Sequence, residues 1–178
     1  MMVRSQEDGI NACDNVSVGI DNYGLSFAFN TSGISGTVVS AVLWFQTTAK
    51  YTDGPVTTSR GFYVKKTSGS PPPASEIPGY FNTDPTTNKV GAYPMSSVGT
   101  GTQWNSVTLS SPDTTVNKSG TTYLYLFMAD PIVGTLPTNG STQRYGAMVT
   151  GAGGASAPYL VVTTVISGVR LIVVVDSE

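Results

Sequence analysis

"GGASAPYLVVTTV", residues 153–165, is the stretch that decides the fold. Small residues and Ala-Pro lead without transition into an apolar, β-branched run. A segment of this kind reads as a strand brought back late in the chain to a sheet that already exists. The chain then continues with "GVRLIVVVDSE", residues 168–178, a second apolar run of the same character. What the first strand closes, and why the second follows it, are the questions the rest of the sequence answers.

Upstream, period-two alternation recurs. "GLSFAFN" sets Leu25, Phe27 and Phe29 against Ser26 and Ala28. "TVVSAVLWFQTT" places Val39, Ala41, Leu43 and Phe45 on one face and Val42 and Trp44 on the other. "TTYLYLFMAD" opposes Leu124, Leu126 and Met128 to Tyr123, Tyr125 and Phe127. Strands apolar on both faces are covered on both faces, which implies a central position or a subunit contact. "RGFYVKK", "NSVTLSS" and "YGAMVT" read as shorter strands between turn residues. No apolar stripe of helical period is sustained anywhere. Short strands joined by Gly, Pro, Asn and Asp predict an all-β antiparallel jelly-roll sandwich over residues 17–165. The proline-rich section 66–101 reads as a loop excursion lying over the sandwich or against a partner.

Composition narrows the function. About a quarter of the residues are Ser or Thr and only 11% are charged, well below a typical domain. This argues against disorder and against surface helices, and predicts a neutral, hydroxyl-rich exterior. A net charge of −2 offers no basic footprint for nucleic acid. No apolar run reaches the roughly 20 residues of a membrane-spanning helix, and the first residues lack the apolar core of a signal peptide. The single cysteine, Cys13, excludes an internal disulfide framework, so the core alone must hold the fold.

Histidine is absent, which removes Ser-His-Asp and Cys-His catalysis and the usual zinc sites together. "GAGGAS" and "GTGTQW" fail the dinucleotide-binding pattern and read as turns. Asp53, Glu76, Asp84, Asp113 and Asp130 could in principle supply a glycosidase pair, but most stand beside Gly, Pro or Thr, where turn chemistry accounts for them. The expectation is a protein that is not an enzyme and has no cofactor, a structural calcium ion in a loop being the one exception the composition admits. Sequons begin at Asn15, Asn30, Asn117 and Asn139; so much Ser and Thr brings about two by chance, so they say little about secretion.

Three stretches resemble DNRLRE-type jelly-roll domains of secreted and surface proteins, which are related in shape to carbohydrate-binding modules. "NYGLSFAFNTSGISGTVVSAVLWFQTT" is similar to the family's strand end, turn and following strand. "TQWNSVTLSS" resembles its Trp-x-x-Val segment, and "SAPYLVVTT" its terminal strand. The namesake Asp-Asn-Arg-Leu-Arg-Glu string is absent, Asn30 stands where the family prefers Asp, and Thr163 where it has an aromatic. The resemblance implies that residues 158–164 close a jelly roll. It also implies a framework position for Trp104, read as structural core in preference to a sugar-binding platform.

The appended strand, within residues 166–178, combines high β propensity with few charges and no proline. An open edge of that kind is an aggregation hazard that must be paired or covered. Either the domain's own sheet takes it, or Leu171, Ile172, Val173, Val174 and Val175 make a subunit contact by β-augmentation. Residues 1–16 have no core pattern and read as an arm. Together these features predict a structural protein of a larger assembly, such as a bacteriophage capsid decoration protein or a tail or fibre subunit, with neighbouring protein subunits as partners. The alternative is a carbohydrate-binding module of a surface or secreted protein that stacks glycans on Tyr80, Phe81 and Tyr93.

Overall fold

Strand β3, Gly24–Asn30, buries Leu25, Phe27 and Phe29 and turns Ser26 and Ala28 outward, as alternation dictates. The structure is a computed structural model that describes residues 2–8, 19–22, 24–52, 61–73, 76, 89–129, 143–149 and 155–178. Along the chain the other strands are β1 (Met2–Asp8), β2 (Gly19–Asn22), β4 (Thr37–Thr52), β5 (Gly61–Thr67) and β6 (Lys89–Pro94). They continue as β7 (Gln103–Thr108), β8 (Thr121–Ala129), β9 (Gln143–Val149), β10 (Tyr159–Ile166) and β11 (Val169–Asp176). The one α-helical turn among the described residues, α1, is Pro112–Thr115.

Two antiparallel sheets face one another. The smaller runs β3-β8-β5-β6; the larger runs β11-β10-β4-β9-β1-β2, with β7 also on β4. In a jelly roll of eight strands, the second, seventh, fourth and fifth form one sheet, and the first, eighth, third and sixth form the other. The order β3-β8-β5-β6 reproduces the first set. β10-β4-β7 reproduces the last three places of the second set. The remaining place, beside the closing strand β10, is filled by β11 rather than by a strand from the start of the chain. The second apolar run therefore completes the jelly roll's own sheet. Met2–Asp8, in the stretch expected as an arm, lies in that same sheet, paired with β9 and β2.

The core lies between the sheets. Phe29, Phe45, Phe62, Leu43, Leu124, Leu126 and Leu160 are all fully buried in it. Each such side chain contributes about 1.5–3 kcal/mol over an exposed position. Phe45 meets Phe62 edge-on at 5.8 Å. β4 departs from regular pairing at two points, opposite Thr163/Thr164 of β10 and between Thr47 and Ala49 opposite β9. A bulge opposite Thr163/Thr164 puts Val38, not Val39, on the face of Ala41 and Leu43. Val39 is the extra residue and is 46% exposed.

The predicted excursion is interrupted. Within residues 66–101 the chain forms β6, antiparallel to β5, followed by a 3-10 turn at Met95–Ser97. Of the residues between β5 and β6, the described ones, 68–73 and 76, reach the outer face of the smaller sheet. Ser70 Oγ donates to Ser26 Oγ at 2.9 Å, and Lys65 Nζ donates to the carbonyl of Glu76 at 3.0 Å. On that same outer face Tyr63, Tyr125 and Phe127 form a second buried cluster. The two sheets thus differ: the smaller has a buried aromatic cluster on its outer face, and part of the larger's outer face is open.

Candidate interaction surface

The open part is the outer face of β11-β10-β4-β7. Its rows follow from register. Val42 of β4 stands opposite Val161 of β10, and Val161 opposite Val174 of β11. One row over, Trp44, Tyr159 and Asp176 align; in the other direction, Ser40, Thr163 and Ile172. Ile172 is 71% exposed and Val174 61%. On the opposite face of β11, Val173 and Val175 are half-buried and pack on the core.

Three aromatic rings extend this face. Trp44 and Tyr159 lie nearly parallel, 8° apart with centroids at 5.9 Å, as a cross-strand pair does. Trp104, on β7, tilts 58° to Tyr159 at 5.3 Å and is 37% exposed. The core role implied for Trp104 is therefore corrected. Asn105 and Val107 point inward, so the pleat turns Trp104 outward.

β11 is also an edge. The hairpin turn at Ser167–Gly168 has φ of 49° and 83°, the left-handed pair of a type I′ turn, which matches the twist of its strands. It sets Ile166 opposite Val169 as the first hydrogen-bonded pair, so odd-numbered residues of β11 bond to β10. At the far end the Ser177 amide donates to the Pro158 carbonyl at 3.0 Å, in the same phase. Even-numbered residues aim their backbone groups the other way. The Glu178 amide uses that direction to reach the carbonyl of Ala28 in β3, at 3.0 Å. The antiparallel bridge between Phe29 and Ser177 brings Asn30 opposite Asp176 as well, so the backbone groups of Arg170, Ile172 and Val174 are those that face the open edge.

Of the ligand-contact residues expected from sequence, Tyr80 and Phe81 lie outside the described residues. Tyr93 sits on β6, half-buried, edge-on to Phe45 at 6.2 Å, and its hydroxyl donates to the Ser97 carbonyl at 3.3 Å. Its ring anchors β6 to the core. Leu171 to Val175 all lie on β11; Ile172 and Val174 share the outer face with Trp44, Trp104 and Tyr159, while Val173 and Val175 face the core. The three aromatics were not grouped from sequence, although alternation through Val42, Ser106 and Val161 gives their common face.

The described carboxylates among the five candidates serve loops. Asp113 accepts from Lys118 Nζ at 2.8 Å and from the Val38 amide at 2.9 Å. Lys118 first, then the amide, holds this carboxyl below its usual range. Glu76 accepts from the Ser68 amide at 2.7 Å, which lowers it likewise. Asp53, Asp84 and Asp130 lie outside the described residues, as do Asn15 and Asn139. Asn30 accepts from Ser32, and Asn117 from Ser119, through both amide and hydroxyl, so these two sequons form Asx turns. Among the described residues no group of three or more His, Cys, Asp or Glu is placed to hold a metal ion.

No known protein family, curated protein or solved structure matches the chain.

Proposed function

We propose that the chain is a non-enzymatic structural subunit of a protein assembly, of the kind that builds bacteriophage virions as a capsid decoration, tail or fibre component. It self-associates through the open face and edge of β11. The observation that carries this reading is the exposure of Ile172 and Val174 on an edge strand whose backbone groups face outward. Natural sheets protect such edges with charge, proline or a cover. β11 carries one charge near each end and apolar residues between. The low charge and hydroxyl-rich composition support the same reading.

Light scattering on the intact chain tests it. A mass that is a multiple of 18.6 kDa is expected for the wild type. Ile172→Lys with Val174→Lys, both on the exposed face and away from the core, is expected to return the mass of one chain with an unchanged circular dichroism spectrum. A wild-type chain that stays monomeric at its highest soluble concentration overturns the reading.

The aromatic group Trp44, Tyr159 and Trp104 favours a second reading, a carbohydrate-binding module of a surface or secreted protein. Exposed ring faces accept the apolar side of a sugar, and sandwich faces present them rigidly. Binding to a glycan array that disappears in Trp104→Ala, while Ile172→Lys with Val174→Lys leaves it intact, selects this reading over self-assembly.

A further inference from the structure

We infer that the partner on the β11 edge is a second copy of the chain, paired antiparallel about a two-fold axis through Leu171. The inference deepens the assembly reading and rests on it.

Exposure points to the tip of the β10–β11 hairpin. Val169 and Leu171 share the core-facing side of β11 with Val173 and Val175, yet they are 59% and 46% exposed. The tip therefore overhangs the core, with apolar side chains on both of its faces. Of the seven large hydrophobic residues exposed among the described residues, five lie on this hairpin: Ile166, Val169, Leu171, Ile172 and Val174. What covers them must come to the tip and its edge, not to the sheet as a whole.

Backbone direction sets the phase. Even-numbered residues of β11 turn their backbone groups to the open edge, so an antiparallel copy of the strand sets even residues opposite even residues. The two-fold axis then passes through a residue, not between two.

Two boundaries choose which residue. At one end the bridge between Phe29 and Ser177 holds Asn30 opposite Asp176, so a second copy can reach no further than Val174. An axis through Ile172 would carry the second copy's Gly168 onto the place of Asn30, and axes further along would carry β11 itself there. At the other end stands Arg170, the one charged residue of the strand short of Asp176. An axis through Arg170 would set it directly against its own copy, and like charges directly opposite repel. Axes nearer the turn leave no hydrogen-bonded pair within the strands. Only Leu171 lies between these limits.

About Leu171 the pairing closes. Arg170 of each copy forms a hydrogen-bonded pair with Ile172 of the other, and the arginine stem lies along the isoleucine. The Val169 amide bonds back to Ile166, so the Gly168 carbonyl on the same peptide points to the open edge. There it accepts from the Val174 amide of the second copy. On the core-facing side Leu171 meets Leu171 and Val169 meets Val173, so side chains that the core leaves bare cover one another. Such pairing is isologous, each copy giving the other the same strand, and it ends at two chains.

Directed disulfides test the register. In a chain carrying Cys13→Ser, Leu171→Cys places two sulfurs across a non-hydrogen-bonded pair with Cα atoms about 4.5 Å apart, within disulfide reach. Oxidation is expected to yield a covalent dimer. Adding Ile172→Lys is expected to abolish it, because that lysine stands directly opposite Arg170. Val169→Cys and Val173→Cys are each expected to stay monomeric on a non-reducing gel, and an equimolar mixture of the two to form a mixed covalent dimer. A covalent dimer from Val173→Cys alone, or none from Leu171→Cys where light scattering detects oligomer, overturns this inference and leaves self-assembly standing. A wild-type chain that stays monomeric at its highest soluble concentration overturns both.

Discussion

Thr31 and Thr122 meet through a 2.7 Å hydrogen bond between hydroxyls that are fully closed to solvent. Thr31 Oγ1 also lies 2.7 Å from the Asn117 carbonyl and 2.9 Å from that of Gly120. Thr122 Oγ1 accepts the Asn117 amide at 2.8 Å. This closed group fixes the end of β3 to the start of β8 and to the turn that precedes it. Thr122→Val keeps the shape but removes the acceptor of the half-buried Asn117 amide. A loss of about 1–3 kcal/mol in urea unfolding is expected, and Thr122→Ser, which keeps the acceptor, is expected to lose less. Equal losses for the two variants would show that packing, not the hydroxyl, stabilises this site.

Asp113 predicts a dependence on pH. Its folded carboxyl titrates below the usual range because of Lys118 and the Val38 amide. A depressed folded pKa stabilises the fold above the unfolded value, about 3.9, and that contribution is lost as pH falls through the folded value. Glu76 acts in the same sense. Asp113→Asn is therefore expected to melt lower than wild type near neutral pH, with the gap closing in acid. A gap of constant size across the titration would contradict the ionic account.

The turn that makes β11 a hairpin strand gives a third prediction. Gly168 has φ of 83° with open space around its Cα, so Gly168→Ala costs backbone strain alone, about 1–2 kcal/mol. Ser167, at φ of 49°, stands where Asn is preferred, and Ser167→Asn is expected to stabilise by some tenths of a kcal/mol. Thermal melts of the two variants shifting in the same direction would argue against a type I′ turn here.

What was legible in the sequence was what alternation encodes. Leu25, Phe27 and Phe29 face the core as read, and so do Leu124 and Leu126. The bulge was not legible, because one inserted residue at Val39 reverses the phase without changing composition. Trp104 was legible locally: Val107 and Leu109 mark the inward phase and place Trp104 outside it. The framework position implied by resemblance pointed the other way, and the pleat decides. Tyr93 read as loop because Gly91 and Pro94 flank it. Gly91 is in fact required, since a Cβ there would strike Val107, and Pro94 ends the strand. The place of β11 beside β10 is a matter of strand order between segments close in sequence but set by the whole sheet. Its apolar run announced that it would be paired, not with what.

The central claim is that β11 pairs with β10 along its odd-numbered residues and with a second chain along its even-numbered ones. Residue-resolved amide hydrogen exchange at increasing protein concentration measures both edges at once. The amides of Leu171, Val173 and Val175 are predicted to be protected at every concentration. Those of Arg170, Ile172 and Val174 are predicted to exchange fast in dilute solution and to become protected as the chain assembles. Even-numbered amides that exchange fast at all concentrations, under conditions where light scattering detects oligomer, would contradict the edge-to-edge account.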